Sequence, residues 1–180
     1  MLPVKVNAME PYLKSAIKQF EYYKGVGEKA MAQLNDADLF WQANDECNSI
    51  GTIVQHMHGN MLSRWTDFFT TDGEKEWRKR DEEFEQILNT REQLMQKWNE
   101  GWACLFSALD AINEANWNTT IYIRNEPHTV VDAVNRQLAH YPYHVGQMVM
   151  IAKECAANWK ALTIPKGGSQ AFNAEMFGNK

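Results

Sequence analysis

Four long segments of the chain carry apolar side chains at every third or fourth position, and this periodicity constrains the fold more than any other feature. The spacing is that of one face of an α-helix. The segments start near Met9, at Ser49, after Thr90 and after Thr129. Because four amphipathic helices can bury their apolar faces against one another, the sequence predicts an all-α, up-down four-helix bundle spanning residues 1–180 as a single domain.

The ends of these helices can be predicted from local signals. The last three helices are preceded by residues with short hydroxyl side chains, which cap helix N-termini. The first helix is predicted over residues 9–34, with a kink or break at Gly25 and Gly27 because glycine lowers helix propensity. The second is predicted to end at the turn signal over residues 70–73.

Three segments outside the helical patterns complete the predicted architecture. Residues 74–85 form a charged connection between the second and third helices. Residues 116–125 are rich in β-branched side chains and predict a short strand or one half of a small hairpin. Residues 158–180 hold one proline and several glycines, so we predict an extended C-terminal tail docked on the bundle.

The charge of the chain disfavours nucleic-acid binding. Asp and Glu outnumber Lys and Arg by 23 to 18. The densest basic run, Arg78-Lys79-Arg80, is flanked by acidic residues. Binding that depends on neutralising phosphates needs a basic surface, which this composition does not indicate. We therefore expect a small-molecule substrate rather than a nucleic acid.

The cysteines and the apolar runs indicate a cytoplasmic protein. Cys47, Cys104 and Cys155 are odd in number and widely separated, which is not a disulfide pattern. Met1–Asn7 lacks the long apolar core of a signal peptide. No run approaches the roughly 20 apolar residues that cross a bilayer, so no membrane association is expected.

His140 and His144 are the first candidates for chemistry. Their spacing of four places both imidazoles on the same side of the last predicted helix, where they can close on one metal ion. On spacing alone, two hydrogen-bonded, partly buried histidines are the stronger interpretation. Pro142 lies between them and predicts a kink, because proline removes a backbone donor and clashes with the preceding turn.

A third histidine can come from the second helix, where the sequence offers two. His56 and His58 are two residues apart and lie on different faces of that helix. Periodicity slightly favours His58, whose direction lies nearer the apolar stripe, so the residues alone leave the choice open. His128 follows a proline just before a helix cap and is interpreted as a solvent-facing loop residue.

Several stretches resemble the DinB/YfiT-like superfamily, and in particular an uncharacterised bacterial branch of it. The first is SIGTIVQHM over residues 49–57, and the second is NRQLAHYPYHVGQ over residues 135–147. The tail IPKGGS over residues 164–169, followed by Phe172 and Asn173, is similar as well. The resemblance covers nearly the whole chain.

The resemblance implies a four-helix bundle with a three-histidine metal site. By matching positions, the ligands are His56, His140 and His144, and the metal is nickel, zinc or iron. Some relatives carry an acidic residue three positions after the first histidine, where this chain has Gly59. The resemblance therefore leaves an acid at the site in doubt. Several relatives form dimers, so a homodimer is expected.

Three functional hypotheses follow from such a site. Three neutral imidazoles leave a coordination position open, which suits a reactive metal. Relatives include S-transferases and isomerases that use a low-molecular-weight thiol, namely bacillithiol, mycothiol or glutathione, so a metal-dependent thiol S-transferase is the leading hypothesis. A metal-dependent hydrolase and a non-catalytic, stress-related metal-binding protein are the alternatives. Asn60, Gln137 and Gln147 are the candidates to accept the second N–H of the histidines.

Overall fold

The computed structural model describes residues 9–178, so the prediction about a signal peptide in Met1–Asn7 lies outside the described residues. The described part of the chain is mostly helical, with one small antiparallel sheet, and the prediction of an all-α bundle with a short β element is confirmed. Two 3₁₀ turns lie in the connections, at Ala37–Phe40 and Asp81–Phe84. The other elements are α1 (Met9–Met31), α2 (Ile50–Trp65), α3 (Arg91–Asp110), β1 (Ile121–Ile123), β2 (Glu126–His128), α4 (Val130–Cys155) and α5 (Ser169–Gly178).

Three helices begin at the predicted caps. The Ser49 hydroxyl accepts a hydrogen bond from the backbone N–H of Thr52 at 3.0 Å. Thr90 and Thr129 each form a reciprocal capping box with the residue three positions later. These side chains satisfy backbone N–H groups that have no partner within the helix. The starts of α2, α3 and α4 are therefore set by their local sequence.

The core brings α1, α3 and α4 together around large aromatic side chains. α1 packs on α4, and α2 packs on α3. Trp102 lies at the centre, with its ring centroid 5.8 Å from that of Tyr141 and 6.3 Å from that of Phe20. The Tyr141 hydroxyl donates to Asn60 at 3.1 Å and accepts from Trp65 at 3.0 Å. These two hydrogen bonds join the inward face of α4 to α2, which positions the histidines of both helices.

Three predicted boundaries differ from the observed ones. α1 continues through its glycines without a break and ends at Met31 rather than at residue 34. α2 ends at Trp65 rather than at residues 70–73, because Thr66 is extended and Asp67 has a φ of 48°. The tail is not extended throughout, since residues 169–178 form α5 with no buried side chain. Short helical segments of this kind have no apolar stripe for a periodicity argument to detect.

The β-branched stretch forms the first strand of a hairpin. Ile121 pairs with His128 and Ile123 with Glu126 in antiparallel register. The two turn residues, Arg124 and Asn125, both have positive φ, as in the tight turns that match the twist of paired strands. His128 therefore lies half-buried in a strand, with its Nε2 buried and unbonded within residues 9–178, and the prediction of a solvent-facing loop residue is wrong.

No helix among residues 9–178 combines the length and apolarity required to span a bilayer. α4 continues through Pro142 to its end at Cys155.

The two glycines of α1 are expected to respond oppositely to alanine. A Cβ on Gly27 would lie 2.7 Å from the Trp98 ring, whereas a Cβ on Gly25 meets nothing within 4 Å. Gly25→Ala should therefore raise the free energy of unfolding by roughly 0.5–1 kcal/mol through helix propensity. Gly27→Ala should lower it by roughly 1–3 kcal/mol through overpacking. Urea unfolding of both variants tests this contrast, and equal effects would contradict it.

Candidate metal centre

Helices α2 and α4 bring the three histidines of the resemblance together. His140 Nε2 lies 3.0 Å from His144 Nε2 and 3.4 Å from His56 Nε2. One ring nitrogen from each of the three lies within 4.8 Å of the other two. His56 is buried, and the other two are half-buried. His58 is directed elsewhere, since its Nε2 lies 3.2 Å from Glu100 on α3.

Each of these histidines has an oxygen acceptor at its other ring nitrogen. His140 Nδ1 lies 3.2 Å from the Gln137 side-chain oxygen, and His144 Nδ1 lies 2.9 Å from that of Gln147. His56 Nδ1 lies 2.9 Å from a Glu83 carboxylate oxygen. An oxygen acceptor at Nδ1 favours the tautomer that carries its proton there. In that tautomer, Nε2 is the nitrogen that can offer a lone pair to a metal.

This arrangement fits a metal ion. In the tautomer that the Nδ1 acceptors favour, the three Nε2 lone pairs face and repel one another. A cation bound at the centre removes that repulsion. Imidazole nitrogens around a tetrahedral ion with bonds of 2.0–2.1 Å are about 3.3 Å apart. The observed distances of 3.0 and 3.4 Å match this spacing. Imidazole ligands suit zinc, nickel and iron alike.

Glu83 is the site residue that the sequence did not reveal. It belongs to the charged connection and is 7% exposed. Its carboxylate accepts from Arg78 Nε at 2.7 Å and Arg78 Nη2 at 2.9 Å, in addition to its contact with His56. Burial opposes its ionisation, but the hydrogen bonds from His56 and Arg78 outweigh burial and lower the pKa of Glu83.

Gly59 makes room for this carboxylate. A Cβ built on Gly59 would lie 2.2 Å from Glu83 Oε1. A carboxylate from the connection thus occupies the space beside α2 that a side chain at position 59 would fill. In the sequence, the only sign of this contact is a glycine one turn after His56. A glycine alone does not indicate which residue fills the space beside it.

Two of the three predicted acceptors contact a histidine, and the third does not. Gln137 and Gln147 contact their histidines, as the sequence predicted. Asn60 instead accepts from the buried Tyr141 hydroxyl and does not bond to a histidine in the described part of the chain. The adjacent Phe84 ring stacks on His56, with centroids 4.9 Å apart, so the connection covers one side of that imidazole.

The site opens to a cavity of about 510 Å³. His56 and His140 line it, together with Asn60, Gln137, Tyr143 and five arginines. Tyr143 is 61% exposed and lies at the surface, whereas Tyr141 is fully buried, as expected for a core aromatic residue. The volume lies within the range of small-molecule sites.

Two of the three clustered histidines have lowered pKa values. Burial, followed by the neighbouring His144 and His56, lowers the pKa of His140 from 6.5 to about 3. Burial also lowers the pKa of His144. Both imidazoles are therefore neutral near pH 7, which is the form that binds a metal.

The metal-free protein is expected to lose stability as the pH falls below the ordinary histidine pKa. The unfolded chain binds a proton at His140 near pH 6.5, whereas the folded chain does not until about pH 3. Acid therefore favours unfolding, by roughly 1–2 kcal/mol between pH 7 and pH 5. Urea unfolding at both pH values measures this change. His140→Gln should reduce the difference, and an unchanged difference would count against the assignment.

Comparisons with known proteins place most of the chain in one family. A family model described as "Protein of unknown function (DUF1572)" matches residues 7–168. No curated protein matches the chain, and no solved structure matches it.

Proposed function

The chain belongs to the DUF1572 family, whose function is unknown, and from this premise and the site geometry we propose that it binds a divalent metal ion and uses it on a small-molecule substrate. The ligands are the Nε2 atoms of His56, His140 and His144. The observation that carries the proposal is that the Nε2 atoms of His144 and His56 lie 3.0 and 3.4 Å from His140 Nε2, while each Nδ1 faces a side-chain oxygen.

The residues around the ligands support this role. Glu83, Gln137 and Gln147 hold the imidazoles in one tautomer and orientation, as acceptors at Nδ1 do in protein metal sites. A dipositive ion held by three neutral ligands lowers the pKa of a thiol or water that reaches its open position. The cavity beside His56 and His140 admits the substrate.

We propose further that the family belongs with the DinB/YfiT-like superfamily and that the reaction is thiol S-transfer. The order of the helices and the positions of the three histidines support the relationship. In such a transfer the sulfur of a low-molecular-weight thiol of the bacillithiol type attacks an electrophilic carbon. A carbon–sulfur bond forms as the bond to the leaving group breaks, and the thiol proton passes to solvent.

Steady-state assays test this proposal. Protein purified without a histidine tag and loaded with zinc, nickel or iron should conjugate bacillithiol to 1-chloro-2,4-dinitrobenzene, releasing chloride. His144→Ala should abolish the metal-dependent rate, while His58→Ala should retain it. A rate unchanged in His144→Ala would exclude the proposed site. Turnover of a p-nitrophenyl ester without thiol transfer would favour the hydrolase instead.

Elemental analysis, combined with the two activity assays, separates both activities from a non-catalytic role. Metal bound tightly without turnover of either substrate class would favour a stress-related metal-binding protein. A site without an acid near its ligands would favour that alternative, but Glu83 supplies a carboxylate at His56.

The homodimer and the cytoplasmic location stay predictions. Light scattering of the purified chain over a range of concentrations tests the first, and a monomer throughout would contradict it. Fractionation of the cells tests the second.

A further inference from the structure

The cavity beside the histidines carries a local positive charge that opposes the charge of the whole chain. Its lining includes the guanidinium groups of Arg64, Arg78, Arg80, Arg124 and Arg136. No Asp or Glu of residues 9–178 is among its lining residues. The full sequence, in contrast, has a net charge of −5. A concave surface lined by one sign of charge concentrates ligands of the opposite sign.

Neighbouring carboxylates neutralise only part of this charge. Glu74 contacts three of the arginines, namely Arg64, Arg78 and Arg124. Glu83 contacts only one of them, Arg78. The other two, at 80 and 136, form no ion pair within the part of the chain described. Asp72 also interacts electrostatically with Arg64, so five guanidinium groups less three carboxylates leave a net charge of +2.

Arg64 adds a second, independent indication of a ligand. Its side chain is only 6% exposed. Its two terminal nitrogens are bonded, to Glu74 and to the backbone oxygen of Gly73. Its Nε is buried and has no hydrogen-bond partner within residues 9–178. An unbonded buried donor on a charged group is costly, so Arg64 keeps one N–H in need of an acceptor beside the cavity that this residue lines.

The helices align two of these arginines, Arg64 and Arg136, with the metal ligands. On α2, His56, Asn60 and Arg64 follow one another at intervals of four and lie along one strip of the helix. On α4, Arg136 precedes His140 by the same interval. At 1.5 Å per residue, the arginines lie roughly 6–12 Å along the helix axes from the ligands. A small molecule can therefore reach both.

We propose that this cavity binds an oxyanion group, a carboxylate or a phosphoryl group, of a small-molecule substrate whose reacting end faces the three histidines. The role in catalysis rests on the proposed metal-dependent function, whereas the binding of the anion does not. Guanidinium groups bind carboxylate and phosphoryl oxygens through paired, charge-assisted hydrogen bonds. The cavity is lined by α2, α4, the charged connection and the hairpin turn, and its volume of about 510 Å³ suits a small molecule better than a polymer.

Calorimetric titrations of the full chain test the proposal. The probes are succinate, inorganic phosphate and the neutral analogue succinamide, each added to zinc-loaded and to metal-free protein at low salt. At least one anion should bind saturably to both forms, and succinamide at least about tenfold more weakly. Preference between the two anions identifies which oxyanion group the cavity takes. Arg136→Gln should lower the binding affinity for the preferred anion by about tenfold or more, which corresponds to about 1.4 kcal/mol.

Lys79→Gln provides the matched control. Lys79 carries the same charge, is 72% exposed and lies outside the cavity lining. Its replacement should change the affinity by less than about twofold, because its ammonium group is exposed to water and already paired with Glu82. Arg80→Gln is the second cavity variant.

The outcomes separate this proposal from the proposed function. Absence of saturable anion binding would overturn it, as would equal losses in Arg136→Gln and Lys79→Gln. Binding that vanishes without metal and is insensitive to Arg136→Gln would overturn it too, because the anion would then be held by the metal alone. Anion binding by a protein that takes up no metal would support this proposal and contradict the metal-dependent function.

Discussion

His56→Ala is expected to weaken zinc binding about a thousandfold, or ~4 kcal/mol, because it removes one of three ligands. His58→Ala is expected to leave the affinity within about threefold. The two histidines lie two residues apart on α2, and both are buried. Only the first approaches His140 Nε2, at 3.4 Å, while the second contacts Glu100. The two variants therefore compare two buried histidines of one helix.

A competition titration with a chromogenic chelator measures both affinities, using protein without a histidine tag. Circular dichroism of each variant shows whether the helices persist. Equal losses of affinity in the two variants, with folding retained, would contradict the three-histidine assignment. A loss confined to His58→Ala would show that the site lies on the α3 side of α2.

Glu83→Ala is expected to have the largest effect on stability among substitutions outside the core. Removing this carboxylate leaves Arg78, whose side chain is 2% exposed, without its bidentate partner. Breaking a buried ion pair in this way costs about 3–5 kcal/mol of unfolding free energy. The same change frees His56 Nδ1, and we expect zinc affinity to fall roughly 10–100-fold.

Glu82→Ala is the control for this substitution. The side chain of Glu82 is 51% exposed and pairs with Lys79, so its loss should cost less than about 1 kcal/mol. Urea unfolding of the metal-free proteins measures the stabilities, and the chelator titration measures zinc affinity. Similar unfolding free energies for the two variants would contradict the role given to the Glu83 carboxylate.

Gly59→Ala provides an independent way to take the Glu83 carboxylate away from His56. A Cβ at this position would lie 2.2 Å from Glu83 Oε1 and would push the carboxylate from its place without deleting it. Zinc affinity should fall in this variant as well. An unchanged affinity would show that the carboxylate does not orient His56.

The local sequence was sufficient for much of the fold. Hydroxyl residues at three helix starts predicted caps that the structure forms, because a cap depends on residues within one turn. The spacing of His140 and His144 placed both on one side of α4, and Gln137 and Gln147 lie three positions from them. Contacts of this range follow from helix geometry alone.

Periodicity failed in α2 for a physical reason. Fourteen of its sixteen residues are buried, so the helix has no polar face from which an inward direction can be determined. It is covered by α3 on one side and approached by α4 and the 3₁₀ turn at Asp81–Phe84 on others. A helix that is surrounded in this way gives a weak amphipathic signal. The choice between His56 and His58 therefore required a resemblance or a structure.

The sequence by itself determined the four long helices, the capped starts of three of them and the paired histidines of α4, since each depends on contacts within a few residues. Only the tertiary structure decided that His56 completes the cluster, that Glu83 fills the space beside Gly59, and that arginines from separate segments line one cavity. His56 and Glu83 are 27 positions apart in the sequence, and His56 and His140 are 84 positions apart. Pairings at such separations depend on how the helices pack, which no local pattern encodes.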